Sequence, residues 1–232
     1  METVRQPRTH RVLLMTLVLV ALVAGSLAWA LPRAGAATTL RSTPTGQNAT
    51  ARTPSQDAFH DQMRKLWEDH VTWTRLAIVT FADGSPGFPA TAERLLSNQV
   101  DIGDAIKPFF GDSAGDRLTG LLHDHITIAV EILQAAKDGD TSAFDRASAR
   151  WYANANDIAD FLAAANPRFW PDDVMRMDMK THLDQTLAEA AAELHGQYAS
   201  SVLQYEAVHA HILAMADMLS DGIIGRFRSA FH

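Results

Sequence analysis

Residues 118–133 read Leu-Thr-Gly-Leu-Leu-His-Asp-His-Ile-Thr-Ile-Ala-Val-Glu-Ile-Leu. Leu118, Leu122, His125, Ala129 and Leu133 recur at spacings of three and four, which puts them on one side of an α-helix. The same period marks Leu66, His70, Thr74, Ala77 and Phe81, and again Met175, Met179, His182, Thr186 and Glu189. No stretch sustains the period-two alternation of β-branched residues that a half-buried strand needs. Chain breakers fall between the periodic segments: Gly84-Ser85-Pro86-Gly87, Lys107-Pro108 with Gly111, Asp138-Gly139-Asp140, and Asn166-Pro167. The reading is all-α, a bundle of about six helices near 57–83, 89–107, 113–138, 141–165, 171–196 and 199–222.

The three histidine-bearing segments align with one another. Trp67-Glu68-Asp69-His70-Val71 matches Leu122-His123-Asp124-His125-Ile126 and Lys180-Thr181-His182-Leu183. The intervening segments match too: Asn98-Gln99-Val100-Asp101-Ile102 against Asn154-Ala155-Asn156-Asp157-Ile158, each Asn falling 28 or 29 residues after its histidine. The chain therefore reads as three helix-pair repeats. Each repeat has a histidine on its first helix and a polar pair at i, i+3 on its second. In the last helix that pair is Glu206 and His209. His211 competes for the place, because His209-Ala210-His211-Ile212 also matches His123-Asp124-His125-Ile126. His209 is preferred, since it shares the i, i+3 spacing with Glu206, and residues two apart face different ways.

Residues i and i+3 share a helix face. Asn98 with Asp101, and Asn154 with Asp157, are thus expected on the faces that pack inward. A buried carboxylate must find a cation, a metal or several donors. His70, His125, His182 and His209 are the candidate nitrogen ligands of a metal site. Asp101, Asp157 and Glu206 are its candidate oxygen ligands, with Asn98 and Asn154 beside them. Imidazole with carboxylate suits a divalent transition metal: zinc, iron, copper or nickel. Glu-x-x-His also occurs in di-iron bundles, but that arrangement needs the motif twice and this chain has it once. The structural alternative is a polar core in which histidines and carboxylates satisfy one another. Trp67, Trp73, Trp151, Phe169 and Trp170 read as packing, and Glu68-Asp69 and Asp172-Asp173 as solvated surface and helix cap.

Before the bundle lie two other segments. Arg5, Arg8 and Arg11 precede an apolar run from Val12 to Leu31, and Ala34-Gly35-Ala36 has the small-x-small pattern of a signal-peptidase site. Residues 1–36 read as a signal peptide, with an uncleaved membrane anchor as the alternative, since the run is about twenty residues long. Either way the segment engages the membrane or export machinery, and the rest is extracytoplasmic, secreted or anchored. No cysteine follows the run, which excludes a lipoprotein. Residues 37–56, rich in Thr, Ser and Pro, read as a disordered linker, and 57–232 as the helical domain.

Composition removes several function classes. With no cysteine among 232 residues, disulfides, iron–sulfur clusters and thiol catalysis are out. The net charge is -7, and without residues 1–36 there are 16 basic against 26 acidic residues, or -10. That balance disfavours a nucleic-acid partner and favours cations.

His70-Val71-Thr72-Trp73-Thr74-Arg75, Asn98-Gln99-Val100-Asp101-Ile102-Gly103-Asp104-Ala105-Ile106-Lys107-Pro108 and Met215-Ala216-Asp217-Met218-Leu219 resemble a family of all-helical proteins from bacilli and actinobacteria. The resemblance covers about 60–222. It implies a helical domain with these boundaries and brings no activity with it. Three classes of function follow from the residues themselves: a metal-binding protein, a metal-dependent enzyme, or a cell-envelope scaffold with a structural polar core. An open coordination position lined by apolar side chains favours the enzyme, and a closed set of four ligands favours binding alone. No nucleophile elbow, phosphate loop or His-Glu-x-x-His accompanies the histidines.

Overall fold

A computed structural model describes residues 52–231. The described residues form six α-helices: α1 (Pro54–Ala82), α2 (Phe88–Phe110), α3 (Asp112–Asp138), α4 (Thr141–Ala165), α5 (Asp172–Leu194) and α6 (Tyr198–Arg226), followed by a 3-10 turn at Arg228–Ala230. No strand occurs among them. The all-helical reading is therefore correct. Residues 1–36 and the linker up to Ala51 lie outside the described residues.

Three boundaries differ from the sequence reading, each for a local reason. Pro54 to Gln56, read as linker, begin α1. The Thr53 hydroxyl accepts from the Gln56 amide at 3.3 Å, and the Gln56 side chain accepts from the Thr53 amide at 3.0 Å. This is a capping box with proline at the first helical position, where no N–H is needed. Helix α2 runs past Pro108 to Phe110. Its last turn is held by packing: Phe109 meets Phe59 at 5.0 Å and Phe110 meets Phe227 at 5.2 Å between ring centroids. Helix α6 passes through Gly222 because that glycine makes room for Trp170, whose Nε1 lies 2.1 Å from where a Cβ would stand. At α4 the N-cap is Asp140, accepting from the Ala143 amide at 2.9 Å.

Consecutive helices pack side by side, and α6 closes the ring against α1. The odd-numbered helices run the same way: Lys137 at the end of α3 donates to Phe81 O, at the end of α1, at 2.8 Å, and along α1 and α5 His70 meets His182 and Arg75 meets Glu189 in the same order. Arg64 with Asp217 ties α1 to α6, and Arg52, just before α1, pairs with Asp221. The main apolar core gathers residues that precede the histidines: Met63 and Trp67 on α1, Leu118 and Leu122 on α3, Met175 and Met179 on α5, with Ile102, Ile158, Ile212 and Ile223 from the even helices. Helix α6 is long and apolar enough to cross a membrane by length and composition, but half of that apolar window is buried within the bundle. It is built as a core helix, with Val208, Ile212, Met215 and Leu219 facing inward.

The α2–α3 contact depends on bare backbone. A Cβ on Gly103 would lie 2.0 Å from Thr119 Oγ1 and 2.7 Å from Gly115 O, and one on Gly115 would lie 2.6 Å from Gly103 O. Neither carbonyl can move without shifting a helix. Gly103→Ala is expected to destabilise the fold by about 1–3 kcal/mol despite alanine's better helix propensity. Chemical denaturation would measure it, and a variant as stable as the wild type would show that the two helices separate easily.

Candidate functional site

The three mid-helix histidines meet inside the bundle. His70, His125 and His182, from α1, α3 and α5, are only 2%, 3% and 4% exposed. The ring centroids of His70 and His182 are 5.8 Å apart, and those of His125 and His182 are 6.2 Å apart.

The even helices orient these rings. Asn154 Nδ2 donates to Leu121 O at 3.0 Å, which leaves Oδ1 to accept from His125 Nδ1–H at 3.0 Å. The proton is thereby fixed on Nδ1, and Nε2 keeps its lone pair. Trp151 stacks on the same ring at 5.0 Å and donates its indole N–H to His125 O. Beside His70, Asn98 Nδ2 donates to Leu66 O at 3.0 Å. Gln99 Nε2 donates to Leu95 O at 2.7 Å and lies 3.3 Å from His70 Nδ1. Near His182, His211 Nε2–H donates to Asp178 O at 3.0 Å. Leu66, Leu121 and Asp178 each stand four residues before their histidine. His182 Nδ1 itself is buried without a hydrogen-bond partner.

Burial sets the charge state. Loss of solvent, reinforced by the neighbouring His125, pushes the His70 imidazole down to about 3. Burial, partly offset by Asn154, pushes His125 down to about 4. His182 falls well below the usual histidine range through burial and through the proximity of His70, His125 and His211. All three rings are neutral at physiological pH, the form in which imidazole offers a lone pair.

The carboxylates expected with them are elsewhere. Asp101 and Asp157 are exposed, and Asp101 faces Arg94 at 3.5 Å. On α2 and α4 the inward stripe runs through Asn98 and Ile102, and through Asn154 and Ile158, so the intervening aspartates turn about 100° away. Glu206 is exposed, and His209 sits at the surface 3.3 Å from Glu68. The place facing His182 belongs to His211. The sequence contained that signal: His211 follows its histidine by 29 residues, as Asn154 does, whereas His209 follows by 27. Gln99 and Trp151 also escaped a reading based on repeated residue types. Among the described residues, no three His, Asp or Glu side chains are already closed around one point as a metal site requires.

A second buried polar cluster was not foreseen. Arg75 reaches Glu189 at 3.1 Å and Glu193 at 3.0 Å, and bonds the Ser201 hydroxyl, which in turn donates to Glu193 at 2.5 Å. Burial raises the Glu189 carboxyl to about 7, against the pull of Arg75. Two acids thus share one cation at the junction of α1, α5 and α6.

A comparison with protein-family models, curated proteins and solved structures finds no match to this chain.

Proposed function

We propose that this is a metal-binding helical-bundle protein that holds one divalent transition metal between His70, His125 and His182. The observation that carries the reading is the convergence of three neutral, buried imidazoles from three helices, one of them with an unpartnered nitrogen. The hydrogen bond from His125 to Asn154 is the kind of outer contact that fixes the tautomer of a metal-ligating histidine. Three imidazoles bound to one zinc at ~2.1 Å hold their ring centroids about 5 Å apart. The separations of 5.8 and 6.2 Å exceed that by roughly 1 Å, so the rings must draw together when an ion binds. Three histidine ligands leave a fourth position open, so the site has the ligand number of a catalytic centre. With the aspartates at the surface the donor set is all nitrogen, which suits zinc, copper(II), nickel or iron(II).

The second reading is a purely structural polar layer that sets helix register. It is favoured by the amide partners of His70 and His125. Both readings fit a chain of three helix-pair repeats. The recurring bond from an even helix to the carbonyl four residues before each histidine supports that organisation. Residues 1–36 fit an export signal or anchor that delivers the bundle outside the cytoplasm.

Elemental analysis of the full-length chain, purified without a histidine tag and equilibrated with each metal, tests the proposal. About one ion per chain is expected in the wild type and in His209→Ala. His70→Ala, His125→Ala and His182→Ala should each lose it, and Asn154→Ala, which removes the outer partner of His125, should weaken binding by roughly 10–100-fold. A wild-type chain that retains no zinc, copper, iron or nickel overturns the metal reading and leaves the structural one.

A further inference from the structure

Beyond the histidines the apolar core is no longer a single cluster. Residues that precede them on α1, α3 and α5 join one continuous cluster. Of those that follow, Val71, Ile132 and Leu183 belong to it too, while others form two separate patches, Ile78, Phe81, Leu133 and Ala190 in one, and Ala77 and Ile126 with Leu95 of α2 in the other. A cavity of about 50 Å³ lies along both patches. Thr74 and Thr186, each one turn beyond a histidine, line its inner end, and Trp151 links it to the His125 ring. The threonine hydroxyls are tied to His70 O at 2.7 Å and to His182 O at 2.8 Å, so the cavity wall is apolar even there.

From this geometry we infer that the cavity is a binding site for a small apolar molecule, held within one helical turn of the three imidazoles. Its size sets the class of ligand. An apolar space of ~150 Å³ accommodates benzene, and one water needs ~10–15 Å³ together with polar partners. About 50 Å³ without polar partners fits a molecule of about two to four heavy atoms, such as dioxygen or another diatomic gas, in preference to water. The pocket is partly open between the helices, and its lining is wholly apolar. The pocket begins one turn beyond the histidine layer, and so would place a diatomic ligand next to the open position of the proposed metal centre. The inference concerns the cavity alone and stands whether or not an ion binds.

Xenon is the probe, applied under pressure to the full-length, metal-free protein with methyl NMR as the readout. Saturable shifts are expected at the methyls of Ile78, Ile126 and Leu133, and dissolved dioxygen, being paramagnetic, should broaden the same resonances. Ala129→Leu and Ala190→Leu, which fill the cavity from α3 and α5, should each abolish the response while leaving helical content unchanged. No xenon shift at these methyls, or an equal response in folded filled variants, overturns the inference. If neither filled variant folds, the wild-type methyl map decides: shifts confined to the cavity support the site, and shifts elsewhere or none remove it. A wild-type chain that retains no metal but keeps the xenon response would separate failure of the metal reading from failure of this one.

Discussion

In the absence of metal, the protein is expected to lose several kcal/mol of stability as the pH falls from 6.5 to 4. The cause is the histidine layer. His70 and His125 titrate near 3 and near 4 in the folded chain, against about 6.5 in the unfolded one. The unfolded state therefore binds protons first. Stability from these groups is complete above about 6.5 and is withdrawn below it. A tenfold difference in proton affinity between the two states is worth ~1.4 kcal/mol, so each of the two rings removes about 3 kcal/mol by pH 4. His182, lowered by the same burial, adds to the loss. One group opposes them. Glu189, raised to about 7, holds its proton in the folded state and gains stability as the pH falls from 7 towards 4.5. Three histidines outweigh one carboxyl, and a domain with ~5–15 kcal/mol in hand should unfold in mild acid. Urea denaturation in a chelator at pH 7.5, 6, 5 and 4 measures the trend. His182→Leu should flatten the acid limb, and Glu189→Gln should steepen it. A stability that stays level from pH 7 to 4 would mean that the rings reach solvent and are not buried as described.

The helices were legible because their signals are local. Spacing on α1, α3 and α5 and the breakers between them located all six elements, and errors were confined to ends where a cap or an aromatic contact decided. Thr53 and Gln56 turned linker into helix, and Phe109 and Phe110 carried α2 beyond its proline. The histidines were legible for a related reason. A polar residue repeated at the same place on an apolar stripe must be buried, and His70, His125 and His182 are. The carboxylates were not, because i, i+3 spacing leaves a residue about 60° off its partner. Asn98 and Asn154 stand at the edge of their inward stripes, so that angle separates core from solvent. Asp101 and Asp157 fall beyond Asn98 and Asn154, on the side away from Ile102 and Ile158. His211 was missed because a motif, Glu-x-x-His, was given more weight than the distance from the preceding histidine. The Arg75 cluster had no signature at all. Its members come from α1, α5 and α6, at separations set by how the ring of helices closes.

That closure is the basis of the other large effect. Replacing Arg75 with methionine is expected to cost about 3–5 kcal/mol at pH 8, as much as any single substitution here. Arg75 alone neutralises Glu189 and Glu193, whose side chains are 1% and 4% exposed. Methionine keeps much of the side-chain length but leaves two buried carboxylates facing each other with no cation. The penalty belongs to the carboxylates left behind more than to the lost bonds, so it should shrink when they are neutralised. The triple variant Arg75→Met, Glu189→Gln, Glu193→Gln is expected to regain most of the loss, because a neutral polar group costs far less to bury than an unpaired charge. Lower pH should act in the same direction on the single variant. Glu189 already binds a proton readily, and without arginine its affinity for one rises further. At pH 6 the deficit relative to the wild type should therefore be smaller than at pH 8. Urea denaturation of the three proteins at both pH values tests this. An Arg75→Met chain within about 1 kcal/mol of the wild type at pH 8 would show that water reaches the carboxylates. In that case the contact of α1 with α5 and α6 would be held by apolar packing more than by this cluster.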